Sequence, residues 1–311
     1  MADRGEVVDA VITSPPFFAL RDYTDSPDEI GDGAPGDYLD DLLDVVARCG
    51  EILAPHGNLA VEIQDCSAGS GGAGGDYGPG GGREGQPKWA GTAAAQRAYP
   101  DAEWPTRQSL MGIPEAFQVA LTYGINPITG AESPAGKWAV RDVIVWARAG
   151  QYGPGHNRLA RRTSRIVVAA RNPRLRWFDP DVDDGLVGDV WENNDRNRLA
   201  GKVPHTAMWP ESIAAGLVAR FCPVRVCVEC GAPSRPQVPV CACNVDDTGG
   251  EHGRYWRAGV VLDPFAGSGT TVAVATGHGR SVVGVDLDPV MVDVVRDRVG
   301  MFPPLDVVDH S

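Results

Sequence analysis

Val260-Val261-Leu262-Asp263-Pro264-Phe265-Ala266-Gly267-Ser268-Gly269-Thr270-Thr271 passes from a β-branched run through a glycine turn into residues of helical spacing. The pattern predicts a strand over Val260 to Leu262, a tight turn, and a helix from Gly269 to Thr276. Ser281 to Val285 and Pro289 to Val299 repeat the order as strand and helix. A βαβα series closes on itself as a parallel sheet with right-handed crossovers, so the fold class is α/β. In an open sheet of this kind, ligands gather at the carboxyl ends of the strands.

The other end of the chain carries the same grammar. Val7 to Ile12 is a short β-rich run that ends in Thr13-Ser14-Pro15-Pro16-Phe17. A helix over Tyr38 to Leu53 and a strand over Asn58 to Ile63 complete a βαβ unit. Ser109 to Tyr123 and Trp209 to Phe221 have helical spacing, and Trp138 to Trp146 and Arg165 to Ala170 read as strands of the far half of the sheet. Ser67 to Gly85 holds ten glycines in nineteen residues. With almost no apolar surface to bury, it is expected to be a mobile lid or plain linker and not a phosphate loop.

The chain has 311 residues, 43% of them hydrophobic, which suffices for a real core. Its start lacks a basic-then-apolar signal, and no apolar stretch is long enough to span a bilayer, so a cytoplasmic location is expected. A formal charge of −13 argues against indiscriminate polyanion binding. The charge is uneven, however. Arg141 to Phe178 has nine arginines against the single acid Asp142, while Met1 to Gly50 has twelve acids against three arginines. The basic stripe reads as a phosphate-tracking surface, with a solvated face balancing the acidic segment as the alternative. Arg158, Arg161, Arg162 and Arg165 are the candidates for phosphate contact, and His156, Asn157 and Trp177 for bases or sugars. The target-reading segment is expected between Arg148 and Trp191.

Gly267-Ser268-Gly269 lets backbone N–H groups at a helix start approach a ligand, and Asp286, at the end of the next strand, can take both hydroxyls of a ribose. NAD is disfavoured: Val272 replaces the third glycine of its fingerprint, and Asp263 puts a carboxylate where a pyrophosphate would lie. S-adenosylmethionine, with its cationic amino-acid end, suits the loop better. At the other turn, Ser14 Oγ and the Pro15 carbonyl can accept the two hydrogens of an exocyclic amine. Such an amine is a poor nucleophile because its lone pair is delocalised into the ring, and the two acceptors favour a pyramidal nitrogen. Pro16 helps stiffen the turn, and Phe17, with Phe18 beside it, can stack on a base drawn out of a duplex.

Together these segments resemble the DNA amino-methyltransferases of the permuted (β) class, in which the catalytic half precedes the cofactor half. Thr13 to Phe17 is similar to the family's motif IV and Val140 to Trp146 to its later catalytic-half strand, with Asp189-Val190-Trp191 beyond it. His205 to Pro210 matches motif X, Asp263 to Thr271 motif I, and Gly284-Val285-Asp286 motif II. The resemblance implies a circularly permuted, Rossmann-like methyltransferase sheet that moves a methyl group from S-adenosylmethionine to a flipped base in double-stranded DNA. It implies catalytic Ser14, Pro15, Pro16 and Phe17. Cofactor contacts would come from Thr13, His205, Thr206, Trp209, Asp263, Phe265, Gly267, Ser268, Gly269, Thr270 and Asp286. Ser in Ser-Pro-Pro-aromatic resembles the N4-cytosine enzymes, whereas Asp-Pro-Pro-Tyr is the usual N6-adenine form; either side chain can accept an amine proton, so adenine stays open. A companion restriction endonuclease and a monomeric or homodimeric state are both left open.

The family's Gly-Asp strand ahead of motif IV has no counterpart in the twelve residues before Thr13. Either the start at Met1 is late, or the cofactor sheet ends one strand early with adenine held by Pro289 and its neighbours, and weak cofactor binding is expected.

Four of the seven cysteines fall between Cys227 and Cys243. Cys227-x2-Cys230-Gly231 makes the tight knuckle of a tetrahedral Zn site, and Cys241-x-Cys243 completes four thiolates, with Cys222 and His252 as spare ligands. The expected organisation is therefore a catalytic and target-recognition part over 1–220, a zinc-binding insertion over 221–258, and a cofactor-binding part over 259–311. The rival reading from another class is a catalytically inactive, zinc-containing DNA-binding module.

Overall fold

A computed structural model describes residues 7–18, 26, 28–31, 33–68, 105–106, 109–148, 159, 161–193, 209–234, 241, 243 and 256–299. The first parallel unit is strand β1 (Val8–Thr13), helix α1 (Pro35–Ile52) and strand β2 (Leu53–Ile63). Helix α2 (Ile113–Tyr123) and strands β3 (Ala139–Arg148), β4 (Thr163–Ala170) and β5 (Val190–Asn193) follow. After helix α3 (Glu211–Phe221) come the short strands β6 (Arg225–Cys227) and β7 (Trp256–Ala258). Strand β8 (Val260–Asp263), helix α4 (Thr270–Gly277), strand β9 (Ser281–Gly284) and helix α5 (Val290–Val299) form the last unit.

Among the described residues, seven strands make one sheet in the order β5-β3-β4-β2-β1-β8-β9, and β6 pairs with β7 in a separate two-stranded sheet. β4 alone runs against its neighbours: it is antiparallel to β2 and β3, while the β1–β2, β1–β8, β8–β9 and β3–β5 pairs are parallel. Each central strand alternates its side chains between two cores, as the two-residue period of a pleated strand requires. Leu59, Val61 and Ile63 of β2, Val167 and Ala169 of β4 and Leu262 of β8 face α1 and α2. Ala60, Ile166, Val168 and Val261 face α3 and α4 instead. Both faces are covered by helices, which is why these strands read as nearly continuous apolar runs.

Local chemistry sets several boundaries away from those expected. α1 starts at Pro35, three residues before Tyr38, because proline suits the first helical turn and the Asp37 carboxylate accepts the Ala34 N–H at 3.2 Å. α2 starts at Ile113 and not at Ser109: Gly112 is left-handed (φ 71°), Pro114 follows, and Leu110 is taken up in a bridge to Ser67. β2 begins at Leu53, directly where α1 ends, rather than at Asn58. β5, β6 and β7 are additions to the expected set. No helix among the described residues is long and apolar enough to cross a membrane.

Candidate active site

From β1 the chain crosses through α1 to β2 on one side, and from β8 through α4 to β9 on the other. Since α1 and α4 lie on opposite faces, a crevice opens between the carboxyl ends of β1 and β8. The two glycine- and proline-bounded turns of the sequence both leave from it. Thr13 Oγ1 donates to Asp263 Oδ1 at 2.5 Å, and the Phe265 N–H donates to the same oxygen at 3.1 Å. Burial pushes the Asp263 carboxyl up to about 6; the charge of Asp286 adds to the rise, and the bonds from Thr13 and Phe265 oppose it.

Ser14 stands at the open rim of this crevice, half-buried, and its hydroxyl donates to Glu62 Oε2 at 2.6 Å. With its proton committed inward, the lone pairs of Ser14 Oγ are left to accept from a substrate. Glu62 is buried at 1% exposure near the carboxyl end of β2. Its other oxygen lies 3.4 Å from Arg148 Nη2, and Arg148 Nη1 donates to Gln64 Oε1 at 2.9 Å. The Tyr38 hydroxyl donates to the Pro16 carbonyl at 2.8 Å, so α1 fixes the Pro-Pro turn from below. Phe17 is half-buried at the rim, but Phe18 is not available for stacking on a base: it is 2% exposed, packed on Tyr38 with ring centroids 5.4 Å apart. Glu62 and Arg148 are the functional candidates that the sequence reading misses.

The glycine turn is built as much by packing as by access. Gly267 and Gly269 both adopt positive φ, 49° and 76°. A Cβ on Gly269 would sit 2.8 Å from Val295 Cγ2, so this glycine admits α5 and not only a ligand. Arg298 of α5 donates to the Ser268 carbonyl and to Thr270 Oγ1, each at 3.0 Å, and to Glu211 at 2.8 Å. Ser268 and Thr270 are thereby buried parts of the loop's frame. The Gly267 N–H donates to Asp286 Oδ2 at 2.6 Å and the Asp288 N–H to Oδ1 at 3.0 Å. A carboxylate offers about four acceptor positions, so Asp286 keeps acceptors for a diol. Val285, Leu287 and Val290 are half exposed around it. Two carboxylates and an apolar rim fit a ligand that combines a cationic amino-acid end, a ribose and a flat ring, as S-adenosylmethionine does, and fit a pyrophosphate poorly.

Of the remaining sequence candidates, Trp209 is buried in the core beside α3. His156, Asn157, Arg158, His205, Thr206, His252 and most of the Ser67–Gly85 segment lie outside the described residues. Arg161 Nη1 donates to the Asp65 carbonyl at 2.9 Å and its Nη2 to Ser67 Oγ, bracing the chain that leaves β2. Arg162 is exposed and holds the Arg148 carbonyl at 3.1 Å, and half-buried Arg165 lies 3.9 Å from Glu115. Trp177 does not reach bases or sugars: it is 2% exposed, and its indole N–H donates to the Ser234 carbonyl at 2.9 Å. Cys227, Cys230, Cys241 and Cys243 do come together, their Sγ atoms all within 4.8 Å of one another, but at the opposite end of the sheet.

The DNA methylase family of N6/N4 enzymes matches residues 8–297. The type II methyltransferase M.SmaI of Serratia marcescens is 26% identical over 306 residues, covering 94% of this chain and 85% of that protein. M.Cfr9I of Citrobacter freundii is 25% identical over 302 residues, covering 94% of this chain and 81% of that protein. Among solved structures, the PvuII DNA methyltransferase, described as cytosine-N4-specific, superposes with a TM-score of 0.56 at 13% identity over 97% of this chain and 82% of that one. A putative DNA modification methylase from Thermus thermophilus, complexed with S-adenosyl-L-methionine, gives 0.53 at 19% identity over 94% and 86%. The structural likenesses speak to the fold, an α/β methyltransferase sheet.

Proposed function

Because the chain belongs to the DNA methylase family of N6/N4 enzymes, and is thus an S-adenosylmethionine-dependent DNA methyltransferase, we propose that it methylates N4 of a flipped cytosine. The observation that carries this reading is the Ser14–Glu62 hydrogen bond, which turns the Ser14 lone pairs toward the rim as acceptors for an amine. The serine itself, and the cytosine-N4 specificity of the PvuII enzyme, favour cytosine over adenine.

In this reading Ser14 Oγ and the Pro15 carbonyl each take one amine hydrogen, and Phe17 stacks on the extruded ring. Thr13, Asp263, Phe265, the Gly267–Thr270 turn and Asp286 hold the cofactor; the resemblance adds contacts from His205 and Thr206, which lie outside the described residues, while Trp209 packs in the core beside α3. S-adenosylmethionine supplies an electrophilic methyl group on a sulfonium. With the methyl group accepted by the amine nitrogen, Ser14 Oγ would take the surplus amine proton and pass its own proton to Glu62. No covalent bond between enzyme and base is needed. Arg162 and Arg165, with Arg158, bear on phosphates, while Arg161 braces the chain that leaves β2. The strand arrangement supports a permuted domain in which residues 1–220 carry catalysis and target recognition and 259–311 the cofactor. The type II relatives favour site-specific modification alongside a restriction endonuclease.

Mass spectrometry of nucleosides from duplex DNA treated with the protein and methyl donor tests the assignment. N4-methylcytosine is the expected product. N6-methyladenine would overturn the choice of base, and DNA binding without any methylated nucleoside would favour the inactive module.

A further inference from the structure

We propose that Cys227, Cys230, Cys241 and Cys243 bind one Zn²⁺ as four thiolates, and that this centre is a structural clasp at the pole of the sheet opposite the methyl-transfer crevice. The four Sγ atoms lie within 4.8 Å of one another. A tetrahedral ZnS₄ centre needs edges of about 3.8 Å at its usual bond length, a small closure from there. All four donors are sulfur, which selects a thiophilic ion over Mg²⁺ or Ca²⁺, and a full set of protein ligands with no open position marks a structural centre. The backbone around the first pair has the required tight turn. The Gly231 N–H donates to the Cys227 carbonyl and the Cys227 N–H to the Ala232 carbonyl, both at 2.9 Å, with Gly231 left-handed at φ 69°.

What the knuckle grips gives its role. Cys227 pairs with Trp256 and Val226 with Arg257 across the β6–β7 ladder. Arg257 reaches from β7 to Asp9 near the amino end of β1, bonding both carboxylate oxygens. Asp9 also accepts the Val260 N–H at the start of β8, at 2.7 Å, and lies 2.9 Å from His56 Nε2 in β2. Three strands of the catalytic sheet are thus tied to the knuckle at their origins. On its other side, Ser234 receives the Trp177 indole, and the Trp177 carbonyl accepts from Asn58 Nδ2 at 2.9 Å. Gly259, between β7 and β8, passes so close to Pro223 that a Cβ would lie 1.9 Å from its carbonyl oxygen. From Val8 to Thr13 the parallel strands span about 17 Å, so the metal sits at the far end from Ser14. That separation sets the knuckle apart from the methyl-transfer chemistry at Ser14.

The clasp is independent of which base is methylated and of catalysis. Metal analysis of the full-length protein made in zinc-containing medium should give one zinc per chain. Cobalt added to reduced, metal-stripped protein should produce thiolate charge-transfer and tetrahedral ligand-field bands. In the Cys241→Ser/Cys243→Ser double variant, metal content should fall to background and the unfolding midpoint should drop. The dissociation constants of its folded fraction for DNA and cofactor should be unchanged. Protein without metal and without the cobalt spectrum, or loaded with iron, would overturn the zinc assignment. Loss of DNA affinity at an unchanged unfolding midpoint would overturn the clasp and make the knuckle a DNA-contacting element.

Discussion

Thr13 and Asp263, 250 positions apart in the chain, are joined by a hydrogen bond inside the crevice between β1 and β8. The bond couples the turn that presents Ser14 to the turn that holds the cofactor. Thr13→Val keeps the side-chain shape and removes the donor, leaving a buried carboxylate with one partner fewer. The expected cost is about 1–3 kcal/mol of stability by chemical denaturation, with Thr13→Ser close to the parent protein. Equal midpoints for all three would mean the bond carries no weight.

The raised Asp263 gives a pH dependence of defined sign. Its folded value of about 6 exceeds the ordinary 3.8, so the folded chain binds the proton more tightly than the unfolded one. That contribution to stability is full below the ordinary value and is lost as pH rises through the folded one. Affinity for a cationic cofactor runs the other way, since only ionised Asp263 attracts it. Calorimetric titration with S-adenosylmethionine should show affinity falling about tenfold per pH unit well below the folded pKa, with Asp263→Asn weak and flat across the range.

Much of this was open to reading because the decisive strands are local in their signals. β1 and β8 are β-branched runs that stop at proline and glycine, and their neighbouring helices have clear periodicity. β5, β6 and β7 have three or four residues each, too few for a period, and exist only through partners distant in sequence. Trp177 lies among arginines and so reads as a surface residue, yet its partner Ser234 is 57 positions away. Glu62 is the opposite case. A lone acid inside the apolar run Leu59-Ala60-Val61-Glu62-Ile63, at the carboxyl end of a buried strand, is a signal in the sequence, but only the pairing of Thr13 with Val61 gives it a meaning.

If Glu62 acts by taking the Ser14 proton, Glu62→Gln should preserve fold and DNA affinity while lowering kcat on the order of 100-fold. Ser14→Ala should lose a similar amount. The double variant should be little worse than the worse single one, because both remove the same relay. Independent, multiplying losses would separate the two residues, and a Glu62→Gln protein with normal turnover would reduce Glu62 to a packing role.

Asp9 tests whether the pole of the sheet is energetically separate from the crevice. Burial pushes its carboxyl up, but the bonds from His56, Arg257 and the Val260 N–H more than offset this and hold it below the usual range. A depressed value means stability that is present above the ordinary pKa and lost as pH falls through the folded one. Asp9→Asn removes the charge while leaving Arg257 in place, and because Arg257 reaches solvent the expected loss is about 2–3 kcal/mol, less than for a fully buried pair. The variant should also lose part of the acid limb of the parent's stability profile. Since Asp9 sits at the origin of β1 and Ser14 beyond its end, turnover per folded molecule should not change. A fall in kcat without a fall in stability would place the two ends of the strand in one coupled unit.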